Sequence, residues 1–186
     1  MLHHNSNLVV ISGGPGSGKT TVLCELAKLG FQCAPEVARQ IIQEQVRDGG
    51  TMLPWQNREA YTQLMLQRSI DSYLLHTPAL RTTFSDRGIP DTLGYARLIA
   101  LREHELMQDI LAACHQYRYA SVVFLAPPWK EIYETDRERK QDFAESERTF
   151  EQITEVYREC GYELLELPRM TPAARARFIL HQIKSP

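Results

Sequence analysis

The sequence predicts an α/β fold: one parallel sheet with right-handed crossovers and helices on both faces. Two observations predict it. Short apolar, strand-like runs alternate with helix-period stretches along the whole chain, which is the pattern of repeated βαβ units. Residues 13–20, Gly13-Gly14-Pro15-Gly16-Ser17-Gly18-Lys19-Thr20, fit G-x-x-x-x-G-K-[ST] and lie between such a strand and such a helix. With 186 residues the chain is long enough for one domain with a proper core, and no internal repeat or interdomain linker divides 1–186.

The elements follow in order. Residues 7–11 are the first strand, a continuous apolar run suited to a strand buried on both faces. Residues 21–29 place Val22, Leu23, Leu26 and Leu29 on one helical face, with Gly30 as the stop. Residues 31–34 form a short second strand, and Pro35 opens a helix that ends before Gly49-Gly50. Between residues 57 and 76, Tyr61, Leu64, Met65, Ile70, Tyr73 and Leu74 recur near helical spacing, a pattern of core packing. Residues 82–85 are β-branched and aromatic enough for a third strand, followed by Asp86-Arg87 and by Pro90 in a helix first turn. Two helical patterns fill 92–117. Residues 120–125 and 162–167 give the fourth and fifth strands, with a helix over about 144–160 between them and a terminal helix from Pro172 to about residue 183.

The glycine loop carries the most chemistry. A strand that turns sharply into a helix presents unblocked backbone N–H groups and the positive end of the helix dipole to an anion. Gly13, Gly14, Pro15, Gly16, Ser17, Gly18, Lys19, Thr20 and Thr21 would surround the α- and β-phosphates of a nucleoside triphosphate. Lys19 would reach the β- and γ-phosphates, and the Thr20 hydroxyl would bind Mg²⁺.

In a parallel α/β sheet the ligand lies beyond the carboxyl ends of the strands, so the residues after each strand are the ones to examine. Asp86 follows the third strand and suits a direct or water-mediated magnesium role, with Arg87 beside it for an acceptor or a phosphate; a salt bridge within the turn is the plainer reading. Glu36 follows the second strand. A carboxylate there suits an acceptor with a neutral hydroxyl, which it can orient and deprotonate, whereas an acceptor that is already a phosphate needs arginines. A surface pair between Glu36 and Arg39 is the alternative. Residues 136–143 are dense in both signs of charge, and a lid over about 130–145 would bring Arg137, Arg139 or Lys140 over the phosphates at closure; an ordinary solvated helix would look the same.

Composition narrows the function classes. A formal charge of −2 gives no general attraction to DNA or RNA, so no nucleic-acid partner is expected. The four cysteines, Cys24, Cys33, Cys114 and Cys160, form no C-x-x-C pair and suit small buried apolar side chains in a reducing compartment. No signal-peptide pattern and no apolar run of membrane-spanning length occurs, so a cytoplasmic protein is expected. His3 and His4 read as part of a frayed terminus.

Together these motifs resemble a known family. ISGGPGSGKTT at 11–21, PEVAR at 35–39, SDRGIPD at 85–91, FLAPPWKEIYETDRERKQDF at 124–143 and YELLELPR at 162–169 are similar to the P-loop kinase-like ATPases of the NadR and trafficking-regulator type. That group, often labelled AAA family ATPases, is related to the deoxynucleoside and nicotinamide riboside kinases. The resemblance implies a three-layer αβα sandwich, a five-stranded sheet in order 2-3-1-4-5 and an arginine-bearing lid. It also implies that Glu36, Asp86 and Arg87 line the acceptor and magnesium side and that the loop around Pro168 and Arg169 lies near the nucleotide base. The strand before Asp86 is more polar than is usual at that place in such proteins.

Two functions are open at this point. One is a Mg²⁺-dependent kinase that transfers the γ-phosphoryl of ATP to a hydroxyl of a nucleoside-like or other small acceptor, held in part by residues 51–67 with Trp55, Arg58, Tyr61 and Gln67. The other is a nucleotide-dependent regulatory module with slow hydrolysis. The chain contains no N-K-x-D guanine-reading motif, which weighs against a GTP switch.

Overall fold

The computed structural model describes residues 2–77, 81–133 and 143–184. Its central sheet is formed by β2 (Leu8–Gly13), β3 (Gln32–Ala34), β4 (Thr83–Asp86), β6 (Val122–Ala126) and β7 (Glu163–Glu166), all parallel, in the spatial order β3-β4-β2-β6-β7. In order of occurrence along the chain that is 2-3-1-4-5, as the resemblance implies. The fold is a three-layer αβα sandwich.

Strand periodicity explains the layers. On β2, Leu8 and Val10 point to one face and Val9 and Ile11 to the other, and all four are almost wholly buried. The first face packs against α3 (Arg58–His76), α4 (Ile89–Leu98), α5 (His104–Gln116) and α6 (Phe143–Glu159), through residues such as Tyr73, Leu93, Ile110 and Val156. The second face, with Phe84 and Phe124, packs against Val22, Leu23 and Leu26 of α1 (Lys19–Lys28) and Ala176 and Ile179 of α7 (Pro172–Lys184). Fully burying each Val, Leu, Ile or Phe of this kind contributes about 1.5–3 kcal/mol. A smaller cluster, Ile41 with Tyr61 and Met65, fastens α2 (Val37–Asp48) to α3.

Several local expectations change. Leu29 and Leu74, expected on buried helical faces, are 57% and 44% exposed: Leu29 lies just past the end of α1, where the chain turns toward β3. His3 and His4 are not frayed. They form β1 (His3–His4), paired in parallel with β5 (Tyr117–Arg118), and the His3 ring stacks on Tyr117 at 5.3 Å. All four cysteines are free thiols, but only Cys114 is buried, and Cys24 is exposed. The polar strand before Asp86 is a strand nonetheless, with Thr83, Phe84, Ser85 and Asp86 all buried between β3 and β2. No described helix is long and apolar enough to cross a membrane.

Candidate functional site

The carboxyl ends of β2, β3 and β4 meet at one edge of the sheet, and the sequence places a functional group at each. Gly13 ends β2 with φ +137°, where a Cβ would drive into the Ala126 carbonyl of β6; only glycine lets the chain turn away there. The loop then reaches α1, whose first residue is Lys19. The Lys19 side chain is buried and folds back along the loop, donating to the carbonyls of Gly13 (3.1 Å) and Gly14 (2.7 Å) and to Ser17 Oγ (3.3 Å). Ser17 Oγ donates to the Gly14 carbonyl (2.8 Å), and Thr21 Oγ1 to the Gly18 carbonyl (2.7 Å). Thr20, in the first turn of α1, is exposed.

Asp86 ends β4 and is buried, opposite Ile11 in the register with β2. The next residue, Arg87, takes a left-handed backbone conformation (φ +72°), and Ser85 Oγ donates to its carbonyl (2.6 Å). This turn directs the Arg87 guanidinium back across the strand ends. Nε donates to Glu36 Oε1 (3.0 Å), while Nη1 donates to Asp91 Oδ1 (3.0 Å) and to the Gly13 carbonyl (2.8 Å). Burial works against its charge, but Glu36, Asp91 and Asp86 outweigh that and hold its pKa above the ordinary arginine value. The turn therefore does contain a salt bridge, and the same bridge reaches the glycine loop and Glu36.

Glu36, the residue before α2, is buried at 8% exposure. It is no surface residue, and its pairing with Arg87 was not legible from the spacing to Arg39. Asp91, which the sequence reading singled out only within a motif, is the centre of the network. It accepts from Ser12 Oγ (2.5 Å), from the Gly88 backbone N–H (2.9 Å) and from Tyr157 Oη (2.6 Å) in addition to Arg87. The local signal was its place three residues after Gly88, where an acidic side chain caps the first turn of α4. The Tyr157 partner comes from α6 and could not be read from sequence.

A cavity of about 880 Å³ opens beside this network. Pro15, Glu36, Arg87 and Asp91 border its polar end, and Trp55, Tyr61, Met65, Tyr95 and Ile153 form much of its apolar wall. Trp55 and Tyr61 were expected there. Arg58 and Gln67 are instead exposed on α3, bonded to the Pro54 carbonyl (3.3 Å) and to Asp71 (3.0 Å). Arg169 is exposed and donates to the Pro128 carbonyl (3.2 Å), which docks the loop after β7 on the loop after β6. Arg137, Arg139 and Lys140 lie outside the described residues.

The Thr20 hydroxyl and the buried Asp86 carboxylate are hard oxygen donors, the kind of ligand that a Mg²⁺ ion would take. Among the described residues no group of three or more His, Cys, Asp or Glu could hold a metal by itself.

The sheet order, the glycine loop at the head of α1 and the acidic turn after β4 define a P-loop fold of the kinase type. The chain belongs to the AAA domain family, which matches residues 8–175. The solved NadR structure, in complex with NR, superposes with a TM-score of 0.74 at 22% identity over 97% of this chain. This chain spans about half of that one, 52%. Deoxyadenosine kinase from M. mycoides aligns at TM-score 0.66 and 12% identity, covering 96% of this chain and 98% of that one. Shikimate kinase from Acinetobacter baumannii, in complex with shikimate, aligns at 0.55 and 19%, covering 96% and 93%. No curated protein matches the chain. At these identities the likeness carries the fold.

Proposed function

We propose that this chain is a Mg²⁺-dependent phosphotransferase that moves the γ-phosphoryl of ATP to a hydroxyl of a small acceptor held in the 880 Å³ cavity. The observation that carries the reading is the pairing of Glu36 with Arg87. One guanidinium bonds both the carboxylate bordering the cavity and the Gly13 carbonyl of the loop, so acceptor side and phosphate side share a fixed reference.

In this reading Lys19 exchanges loop carbonyls for phosphate oxygens, and the backbone N–H groups of residues 16–20 take the remaining charge. Glu36 accepts a hydrogen bond from the acceptor hydroxyl, aligns its lone pair with the phosphorus and takes the proton as the new O–P bond forms and the bond to the leaving ADP breaks. Bound Mg²⁺, held by Thr20 and Asp86, would neutralise charge on the phosphates. The aromatic wall of Trp55, Tyr61 and Tyr95 suits an acceptor with a flat ring, which agrees with a nucleoside-like molecule.

The test is ADP release with Mg²⁺-ATP against nucleosides, nicotinamide riboside, sugars and small alcohols. Release that rises at least tenfold above the acceptor-free rate with one class supports transfer. Release unchanged by every acceptor, with ATP still bound, points to a nucleotide-dependent regulator.

A further inference from the structure

Arg175, the fourth residue of α7, is the largest completely buried side chain among the described residues, at 1% exposure. Arginine is rarely enclosed without a carboxylate to balance it. The described residues give it none. Nη1 donates to the Ser17 carbonyl (2.8 Å), Nε donates to the Pro168 carbonyl (2.8 Å), and the guanidinium carbon lies 5.0 Å from the centre of the Trp129 ring. Nη2 is buried and has no hydrogen-bond partner among the described residues. Burial, and then the neighbouring charge of Arg169, pull its pKa below the ordinary arginine value. A cation is thus held under the glycine loop by two carbonyls and an aromatic face, with no carboxylate beside it among the described residues.

The contact with Ser17 has a geometric consequence. A trans peptide unit is planar and points its C=O and N–H in opposite directions. Fixing the Ser17 carbonyl toward Arg175 therefore fixes the Gly18 N–H to point away from it. Gly18 has a φ of +81°, and a Cβ there would lie 3.1 Å from Ile132 Cδ1 and 3.3 Å from Arg175 Nη1. The same guanidinium reaches Pro168, whose loop docks through Arg169 on Pro128, so three loops at this end of the sheet are tied to one side chain.

We propose that Arg175 is the positioning residue of the phosphate loop. It orients the Ser17–Gly18 peptide so that the Gly18 N–H is offered to a bound polyphosphate, and that polyphosphate supplies negative charge that no described residue gives the buried guanidinium. The inference rests on the reading of residues 13–20 as a polyphosphate site, and goes beyond it by assigning a residue from the far end of the chain.

The experiment is calorimetric titration of the full chain with Mg²⁺-ATP, inorganic tripolyphosphate and adenosine, using wild type, Arg175→Gln and Arg175→Lys, each verified as folded by circular dichroism. The glutamine variant is expected to bind ATP and tripolyphosphate about tenfold more weakly, because the Gly18 N–H loses its fixed orientation and the loop loses one nearby positive charge, with adenosine unchanged. The lysine variant is expected to recover tripolyphosphate affinity to within about threefold of wild type, since it restores the charge. Wild-type tripolyphosphate affinity in folded Arg175→Gln overturns the assignment, because a merely structural arginine would lower thermal stability alone. If the glutamine variant does not fold, Arg175→Lys decides: wild-type affinity supports the role of the charge, and a loss beyond tenfold overturns it. Failure of wild type to bind tripolyphosphate would instead reject the reading of the loop itself.

Discussion

Arg87 holds Glu36 at 3.0 Å, and both side chains are nearly enclosed, at 16% and 7% exposure. A carboxylate at a cavity edge gains a fixed orientation from such a partner. With Asp91 on the other side of the guanidinium at 3.0 Å, one cation separates two buried anions. Removing it leaves both carboxylates in a poorly solvated place, so Arg87→Met should cost about 3–5 kcal/mol of stability, the usual loss when one member of a buried ion pair is deleted. Urea unfolding at pH 7 checks this; a midpoint equal to that of wild type would mean that solvent already balances the two acids.

Asp86 separates a metal role from a purely structural one. Asp86→Asn keeps the size but offers a weaker ligand to a hard cation, so Mg²⁺-ATP affinity should fall by about tenfold or more while metal-free ATP is bound as before. Calorimetry with and without EDTA measures both. Equal losses in the two titrations would reduce Asp86 to a residue that stabilises the turn after β4.

Alkaline pH tests the packing around the Asp91 network. Burial pushes Tyr95 and Tyr162 up to about 12, and burial followed by the nearby Asp91 raises Tyr157 well above its ordinary value. An unfolded tyrosine loses its proton near pH 10, so between about 10 and 12 the folded state holds more protons than the unfolded one. Stability is therefore complete below about pH 10 and falls as pH rises toward 12. Tyrosinate absorbance at 295 nm should appear together with loss of the circular dichroism signal; titration of these tyrosines at pH 10 in a protein that stays folded would contradict the buried network.

The parts of this fold that were legible from sequence are those set by local rules. The buried strands read as apolar runs, and the glycine loop reads as a loop because positive φ at Gly13, Gly16 and Gly18 demands it. The sheet order is non-local and came from the resemblance, since neither Leu8–Gly13 nor Val122–Ala126 encodes its neighbour. The site was half legible. Glu36, Asp86 and Arg87 stand just after strands, where parallel-sheet geometry directs attention, yet their partners are set by tertiary contacts. Asp91 needs Tyr157 from 66 residues away, and Arg175 meets the Ser17 carbonyl across 158 residues. Arg175 gave no signal because, in an exposed-looking run of helix, a buried arginine is written like any other.

Glu36 decides between transfer and regulation. Glu36→Gln preserves the shape and leaves an amide oxygen to accept from Arg87 Nε, so the network and ATP binding should survive with an unfolding midpoint near that of wild type. What the variant lacks is a proton acceptor for the hydroxyl. Once an acceptor is known, transfer should drop by roughly 10²–10⁴-fold at saturating ATP, the usual contribution of a positioned general base, with the Michaelis constant for ATP little changed. A loose transition state demands little deprotonation early on, so a loss nearer the lower limit would mark Glu36 as orienting the hydroxyl more than deprotonating it. The pH profile distinguishes the two: a base gives wild type an acidic limb in kcat that the glutamine variant lacks, whereas an orienting group leaves that limb in place. Wild-type transfer by Glu36→Gln would remove Glu36 from the chemistry and leave Asp86 as the base candidate.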